Sequence, residues 1–239
     1  MKFLILNGSP HRGNTWQLVQ AAKAHILACN RQAQFEEIHL AAQNLPFCCG
    51  CSNCFRLGGQ ACPHSQVVQP VIKAIQEADG VIVASTTYFM RETGLLKNFF
   101  DHLCFMTHRP AFFKSKALVL TTTGGVGGGA AAKSIASFLL SVGFNRCYRF
   151  SAATFSWNDY QMPAKTKLQL EKMAGRFYRD ISGGKLHSPP ATLLIPYNLF
   201  RGMGLAYTKG SEYETEDGTY WTQPGRRKGV YDASVPVPF

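Results

Sequence analysis

Five of the chain's eight cysteines crowd into one stretch, "PFCCGCSNCFRLGGQACPH", at positions 48, 49, 51, 54 and 62. Cys48, Cys51, Cys54 and Cys62 read C-x2-C-x2-C-x7-C. That spacing gathers three thiolates around one small centre and lets a fourth close it. Structural zinc usually draws on two separated C-x2-C pairs, so a third cysteine two residues further on favours an iron–sulfur centre over zinc. Cys49 breaks the register and is set aside as a ligand, although it can stand in for Cys48. Zinc and reduced free thiols remain open alternatives. Disulfides are the least favoured in a reducing compartment.

A second stretch able to do chemistry is "NGSPHRGNT", residues 7–15. Gly8 and Gly13 allow a tight turn and close backbone approach. Ser9, Asn14 and Thr15 offer polar side chains, His11 and Arg12 add charge, and Asn14 can cap the helix that follows. A phosphate would sit well on the free amides there. The loop is neither a G-x-G-x-x-G fingerprint nor an NTPase loop, which would need G-K-S/T. Two later loops complete the set. "STTYFMRETGLLKNFFDHL" places Thr86 and Thr87 with the large apolar side chains of Tyr88, Phe89 and Met90 directly after a strand. "TTTGGVGGGAAA" offers Thr122, Thr123, Gly124, Gly125 and Gly128 as backbone that a ligand can approach closely.

Such loops need strands to hold them. "KFLILN", "FEEIHL", "GVIVAS", "KALVLTTTGG" and "NRCYRFS" read as strands, and amphipathic helices alternate with them, the last over residues 163–181. Ser65 is a candidate cap for the helix before "GVIVAS", with Pro70 placing its regular start near 70. Alternation implies parallel strands with right-handed crossovers, a doubly wound sheet whose ligands bind beyond the carboxyl ends of the strands. Cys29, Cys104 and Cys147 read as small buried hydrophobes. The tail, 185–239, shows no strong helix, but it is too aromatic to be simply disordered.

The whole chain sets limits. At 239 residues and 46% hydrophobic content it can bury a core unaided. No signal peptide and no membrane-length apolar run is visible, so a cytoplasmic protein without a membrane partner is expected. The net charge of +11 is dispersed, and no nucleic-acid motif accompanies it. It suits a solvated basic face or attraction of phosphorylated cofactors.

The first loop resembles the FMN-phosphate loop of the flavodoxin-like NADPH-dependent FMN reductases, written G-S-x-R…G-N-T. Gly8-Ser9-Pro10 and Gly13-Asn14-Thr15 match, while His11 stands where arginine is common and Arg12 follows it. The same families show P-x-Y and then L-K-x-F-x-D-R. Tyr88, Leu96, Lys97, Phe99 and Asp101 match, with Thr86 in place of proline and His102 in place of arginine. The cysteine loop is similar to that of the iron–sulfur flavoproteins of the same superfamily, which carry a 4Fe–4S cluster near FMN, although His64-Ser65 replace the acidic pair many of them have. The resemblance spans residues 1–180 or so.

It implies a five-stranded parallel sheet of order 2-1-3-4-5, with 1–184 as the FMN-binding domain. Residues 185–239 are then an extension packing on the core or on a neighbouring subunit, where Tyr220 and Trp221 are candidates to cover a flavin in trans. It implies FMN held by Ser9, His11, Arg12, Gly13, Asn14 and Thr15 at the phosphate, by residues 86–90 around the ring, and by the glycine loop at the ring's far edge. A 4Fe–4S cluster on Cys48, Cys51, Cys54 and Cys62 is the implied metal centre. The expected function is NAD(P)H oxidation with electrons passed to a quinone, a flavin or a protein. The alternative is an electron carrier with no small-molecule substrate of its own. The flavin would carry the chemistry, leaving His11, Tyr88 and His102 as side chains to test, in a homodimer or homotetramer.

Overall fold

The computed structural model describes residues 1–156, 159–207, 210–211 and 214–223. Five parallel strands, β1 (Lys2–Asn7), β2 (Gln34–His39), β3 (Gly80–Thr86), β4 (Lys116–Thr123) and β5 (Arg146–Ala153), form one sheet of order β2-β1-β3-β4-β5. This is the flavodoxin-like order. Registers such as Ile5↔Ile82, Ile82↔Leu118 and Leu118↔Tyr148 hold the strands level. Between them run α1 (Asn14–Cys29), the single turn α2 (Asn53–Arg56), α3 (Ser65–Glu77), α4 (Gly94–His102) and α5 (Gly128–Ser141), and α6 (Ala164–Ser182) follows β5.

The apolar strand runs follow from burial on both faces. Phe3, Ile5, Ile82, Ala84, Leu118 and Leu120 point to a core shared with α1 and α6. Their alternates Leu4, Leu6, Val81, Val83, Ala117 and Val119 point to a core shared with α3, α4 and α5. Each helix answers with a stripe, as in Leu170, Ala174 and Phe177 of α6. Full burial of Phe177 contributes about 2–3 kcal/mol.

Four expectations about the fold are corrected. Helix α3 starts at Ser65 with His64 at its N-cap, and Pro70 lies inside the helix on its exposed face, where the carbonyl it deprives of a partner can reach water. Cys29 and Cys104 are exposed and Cys147 is half-buried, its thiol pushed up to about 12 by burial. The tail does contain a helix, α7 (Ala191–Ala206), followed by the short α8 (Thr219–Thr222). Tyr220 and Trp221 of α8 are spent within their own chain, in a cluster with Phe113 and Tyr197. Trp221 is fully buried and the Tyr220 hydroxyl donates to the Pro110 carbonyl.

A polar anchor lies at the opposite end of the sheet from the ligand loops. Asp180 accepts from Lys116 Nζ (3.2 Å), His187 Nε2 (2.8 Å) and Tyr148 OH (2.9 Å). Burial pushes the Asp180 carboxyl up, but His187, Tyr148 and Lys116 together outweigh it and hold it below the ordinary value. A depressed folded-state pKa gives stability that is present above the unfolded value of 3.8 and is lost as pH falls through the folded one. Replacing Asp180 by Asn leaves Lys116 buried without its counter-ion and is expected to cost about 3 kcal/mol at neutral pH. The cost shrinks below about pH 4, where the wild type loses the same contribution. Urea unfolding at a series of pH values checks both parts.

Candidate active site

The strand order reverses between β1 and β3, and the carboxyl ends of those strands frame a cavity of about 290 Å³. It is lined by the β1–α1 loop (Ser9, His11, Gly13, Asn14, Thr15), the β3–α4 loop (Thr86, Thr87, Tyr88) and the β4–α5 loop (Thr122, Thr123, Gly124), with Thr154 and Ser156 after β5.

The first loop is held from below. Ser9 N–H donates to Asn7 Oδ1 (3.2 Å), and Ser9 Oγ accepts from Thr86 N–H (3.0 Å). Gly8 passes so close to α4 that a Cβ would lie 2.7 Å from that of Leu96. The N-cap of α1 is Gly13, not Asn14, and no side chain caps it; Asn14 donates sideways to the Ser156 carbonyl (3.1 Å). No acidic residue occupies the first turn. The free amides and positive dipole end therefore open into the cavity, the local chemistry of an anion site. His11 packs its ring over Gly13 and lines the cavity. Arg12 does not line it: its guanidinium lies 2.8 Å from His39 Nε2, 3.6 Å from Glu37 and over the Trp16 ring.

The second loop is a tight turn. Tyr88 and Arg91 exchange both backbone hydrogen bonds at 3.0 Å, and Phe89 and Met90 between them have φ of +46° and +69°. Two successive positive φ values are the signature of a type I′ turn, which favours glycine and asparagine. The turn brings Tyr88 to the cavity but leaves Phe89 99% exposed, and it seats Met90 against Gly127 of the next loop. Neither walls the cavity of this single chain. Phe89→Gly is expected to raise folding stability by about 1 kcal/mol through relief of the left-handed conformation, read as a higher denaturation midpoint in the absence of flavin.

In the third loop Thr123 Oγ1 donates to the Val126 carbonyl (2.6 Å), shaping the turn. Gly124 lines the cavity, whereas Gly125 and Gly128 do not. Gly128 is needed for packing, since a Cβ there would lie 2.1 Å from Ser151 Oγ. Thr154 and Ser156 escaped the sequence reading because no motif marks them. The pairing of β5 with β4 carries them to the cavity, where Thr154 N–H donates to the Thr123 carbonyl (2.8 Å).

The cysteine loop follows β2 and lies against α4. Asn98 fixes its start, accepting from Cys48 N–H (3.1 Å) and donating to the carbonyls of Leu45 (3.2 Å) and Pro46 (3.1 Å). Cys48, Cys49 and Cys51 are exposed, while Cys54 and Cys62 are half-buried. Burial, followed by the thiols of Cys62 and Cys48, pushes Cys54 up to about 11. Burial also raises Cys62, with the thiols of Cys51, Cys48 and Cys49 adding to it. Cys54 and Cys62 thus lie within electrostatic reach of each other and of Cys48. Between this loop and the first one opens an apolar cleft of about 330 Å³, walled by Pro10, Leu45, Phe47, Tyr88 and Leu95. Among the described residues no helix is long and apolar enough to cross a membrane.

This arrangement has counterparts. The model of the family described as NADPH-dependent FMN reductase matches residues 1–156. An iron-sulfur flavoprotein of Clostridioides difficile (strain 630) is 28% identical over 199 residues, covering 83% of this chain and 86% of that protein. An iron-sulfur flavoprotein of Archaeoglobus fulgidus is 32% identical over 101 residues, and the chain spans about half of its length (48%), with 42% of this chain aligned. The solved apo form of an NADH:FMN oxidoreductase superposes with a TM-score of 0.54 at 27% identity, over 80% of this chain and 92% of that one. With the uncapped loop, the flanking threonines and the switch-point cavity all inside the matched segment, the chain belongs to the NADPH-dependent FMN reductase family.

Proposed function

We propose that the chain is an FMN-dependent NAD(P)H oxidoreductase that delivers electrons to a flat apolar acceptor of the quinone or flavin class. The uncapped N-terminus of α1, opening into the switch-point cavity, is the observation that carries this reading. A second observation fits the same ligand. Thr87 Oγ1 is buried beside the cavity without a hydrogen-bond partner among the described residues, a cost that a bound polar ring edge would offset. When bound, FMN supplies hydride acceptance from NAD(P)H and electron delivery onward.

The protein's share is position and electrostatics. Ser9, Gly13, Asn14 and Thr15 would hold the phosphate, and His11 would add a donor. Thr86, Thr87, Tyr88, Thr122, Thr123 and Gly124 would orient the ring and exclude water from one side. The cleft between Tyr88 and Phe47 adjoins the cradle and is apolar enough to seat an acceptor. Phe47, Phe89, Val126 and Phe155 are each more than 80% exposed along this edge, a surface that assembly as a homodimer or homotetramer would cover.

The thiols of Cys48, Cys51, Cys54 and Cys62 would hold a 4Fe–4S cluster. Four sulfurs around one zinc would lie about 3.8 Å apart, yet among the described residues no three cysteine sulfurs come within 4.8 Å of one another. A positive centre would offset the burial that disfavours the Cys54 and Cys62 thiolates. Exposure of Cys48 and Cys51 beside the apolar edge favours, as a second reading, an electron carrier that serves a protein partner.

The test is sequential. Purified protein is mixed with FMN, and a perturbed flavin spectrum with quenched fluorescence is expected. Oxidation of NADH or NADPH is then followed with quinone or free flavin as acceptor. No FMN uptake removes the reading altogether, whereas FMN uptake without turnover leaves the carrier. Iron and acid-labile sulfide in equal amounts after anaerobic purification support the cluster, and their absence removes it.

A further inference from the structure

At the far end of the cysteine loop, Cys62, His64 and His102 each bring one ligand atom within 4.8 Å of the other two. His102, on the last turn of α4, is 3% exposed. Its Nδ1 lies 2.9 Å from the Asn98 carbonyl, which can only accept, so the ring proton is on Nδ1 and Nε2 keeps its lone pair. That lone pair faces His64 Nδ1 at 2.9 Å, which must therefore donate to it. One ring nitrogen fixed by a backbone carbonyl and the other left as a directed lone pair is how a metal-bound imidazole is commonly held. The support extends one turn back along α4, where Asn98 holds Cys48, Leu45 and Pro46. Pro63, between Cys62 and His64, restricts the backbone that joins two of the three groups.

We propose that Cys62 Sγ, His64 Nδ1 and His102 Nε2 form a site for one divalent transition-metal ion of the zinc class, with the fourth position open to water or to a neighbouring thiolate of the loop. Mixed imidazole and thiolate donors in a small group suit that class. Zinc bonds of about 2.0–2.3 Å set ligand atoms about 3.3–3.8 Å apart, within small side-chain adjustments of the spacing present. The metal takes the place of the proton shared by the two rings: His64 carries its proton on Nε2 instead, and Cys62 releases its own to solvent. Cys62 is also the fourth member of the four-thiol set. The two centres are therefore mutually exclusive, and the loop holds either a cluster on four cysteines or a single ion on Cys62 and two imidazoles. Neither His64 nor His102 belongs to the flavin cradle, so the site stands independently of the flavin reading.

The experiment is a titration of the full-length protein with Co²⁺, in reductant and after iron is removed by chelation. It is read in the red, beyond flavin absorption, where tetrahedral cobalt shows its ligand-field bands. One equivalent is expected to bind with such bands, and Zn²⁺ should displace it. His64→Ala and His102→Ala should each weaken binding by at least about 100-fold, while Cys29→Ser, an exposed thiol at the far end of α1, changes it less than about threefold. FMN uptake by each variant reports that the fold and the cradle survive, and so separates failure of this site from failure of the flavin reading. Cobalt binding that Cys51→Ser abolishes and the histidine variants spare overturns the proposal, as does the absence of tetrahedral binding in the wild type.

Discussion

Gly13→Asp is expected to lower FMN affinity by at least 100-fold, about 2.7 kcal/mol, while leaving the fold as stable as before or a few tenths of a kcal/mol more so. Gly13 is the N-cap of α1, no side chain caps it, and the first turn holds no acid. An aspartate is among the best residues for that position, so it would accept from the first-turn amides itself. It would then occupy the donors a phosphate needs and set a second negative charge against a group carrying −1.5 to −2. Gly13 has φ −97° and ψ −140°, a negative φ with a ψ beyond the usual extended range, so an aspartate caps there after a modest rotation about ψ. The added Cβ would lie 2.7 Å from the ring of His11, an exposed side chain free to swing aside. Gly13→Ala isolates that steric part and is expected to cost no more than about tenfold. Riboflavin, which lacks the phosphate, provides the control: fluorescence titrations should show its weaker binding unchanged by the aspartate. Equal losses for FMN and riboflavin would mean that the phosphate does not sit on α1.

Why these residues could be found in the sequence, and others could not, has a physical basis. Strands buried on both faces must be almost wholly apolar, so "KFLILN", "GVIVAS" and "KALVL" announced a parallel sheet, and the loops at their carboxyl ends announced the cradle. Ser9, His11, Gly13, Asn14, Thr15, Thr86, Thr87, Tyr88, Thr122, Thr123 and Gly124 do meet around one cavity. Phe89 and Met90 do not, although they follow Tyr88 directly. Two left-handed residues reverse the chain there, and aromatic character alone cannot reveal a positive φ. Helix α7 was obscured by Pro196 and by glycines at 202 and 204. Gly204 is required because a Cβ there would lie 2.1 Å from the Trp221 ring, a contact made only once the tail has folded back. The meeting of His64 with His102 has the same origin: residues 38 apart are joined by the seating of the loop on α4, which no local pattern encodes.

Asp217→Ala is expected to cost about 3–5 kcal/mol, felt first as release of the C-terminal extension from the cysteine loop. Asp217 and Arg109 are 2% and 8% exposed and form an ion pair, and His108 Nδ1 binds the other carboxylate oxygen at 2.9 Å. Two further donors of Arg109 reach the loop, at the carbonyls of Cys54 (2.6 Å) and Phe55 (3.0 Å). Those carbonyls end the single turn α2, where no intrahelical partner exists, so the guanidinium serves as its C-terminal cap. Glu216, the neighbour of Asp217, lies so close to Gly58 that a Cβ there would be 3.1 Å from its carboxylate. Asp217 thus fixes Arg109, Arg109 fixes α2, and α2 fixes Cys54 against Cys62. Removing the carboxylate leaves a buried guanidinium with only neutral acceptors, which is the costly half of a broken pair. Two readouts follow: alkylation of Cys54 and Cys62 should accelerate, and limited proteolysis should cut sooner within residues 185–223. Exchanging both partners for apolar residues, Arg109→Met with Asp217→Leu, should recover most of the folding stability, because it removes the uncompensated charge. It should not restore the slow alkylation, because the carbonyls of Cys54 and Phe55 still lack their donor. A fold-stabilising pair and a loop-positioning cap separate at that point. If the double variant protects the thiols as well as the wild type does, the extension braces the loop by apolar packing alone, and Arg109 has no part in setting its geometry.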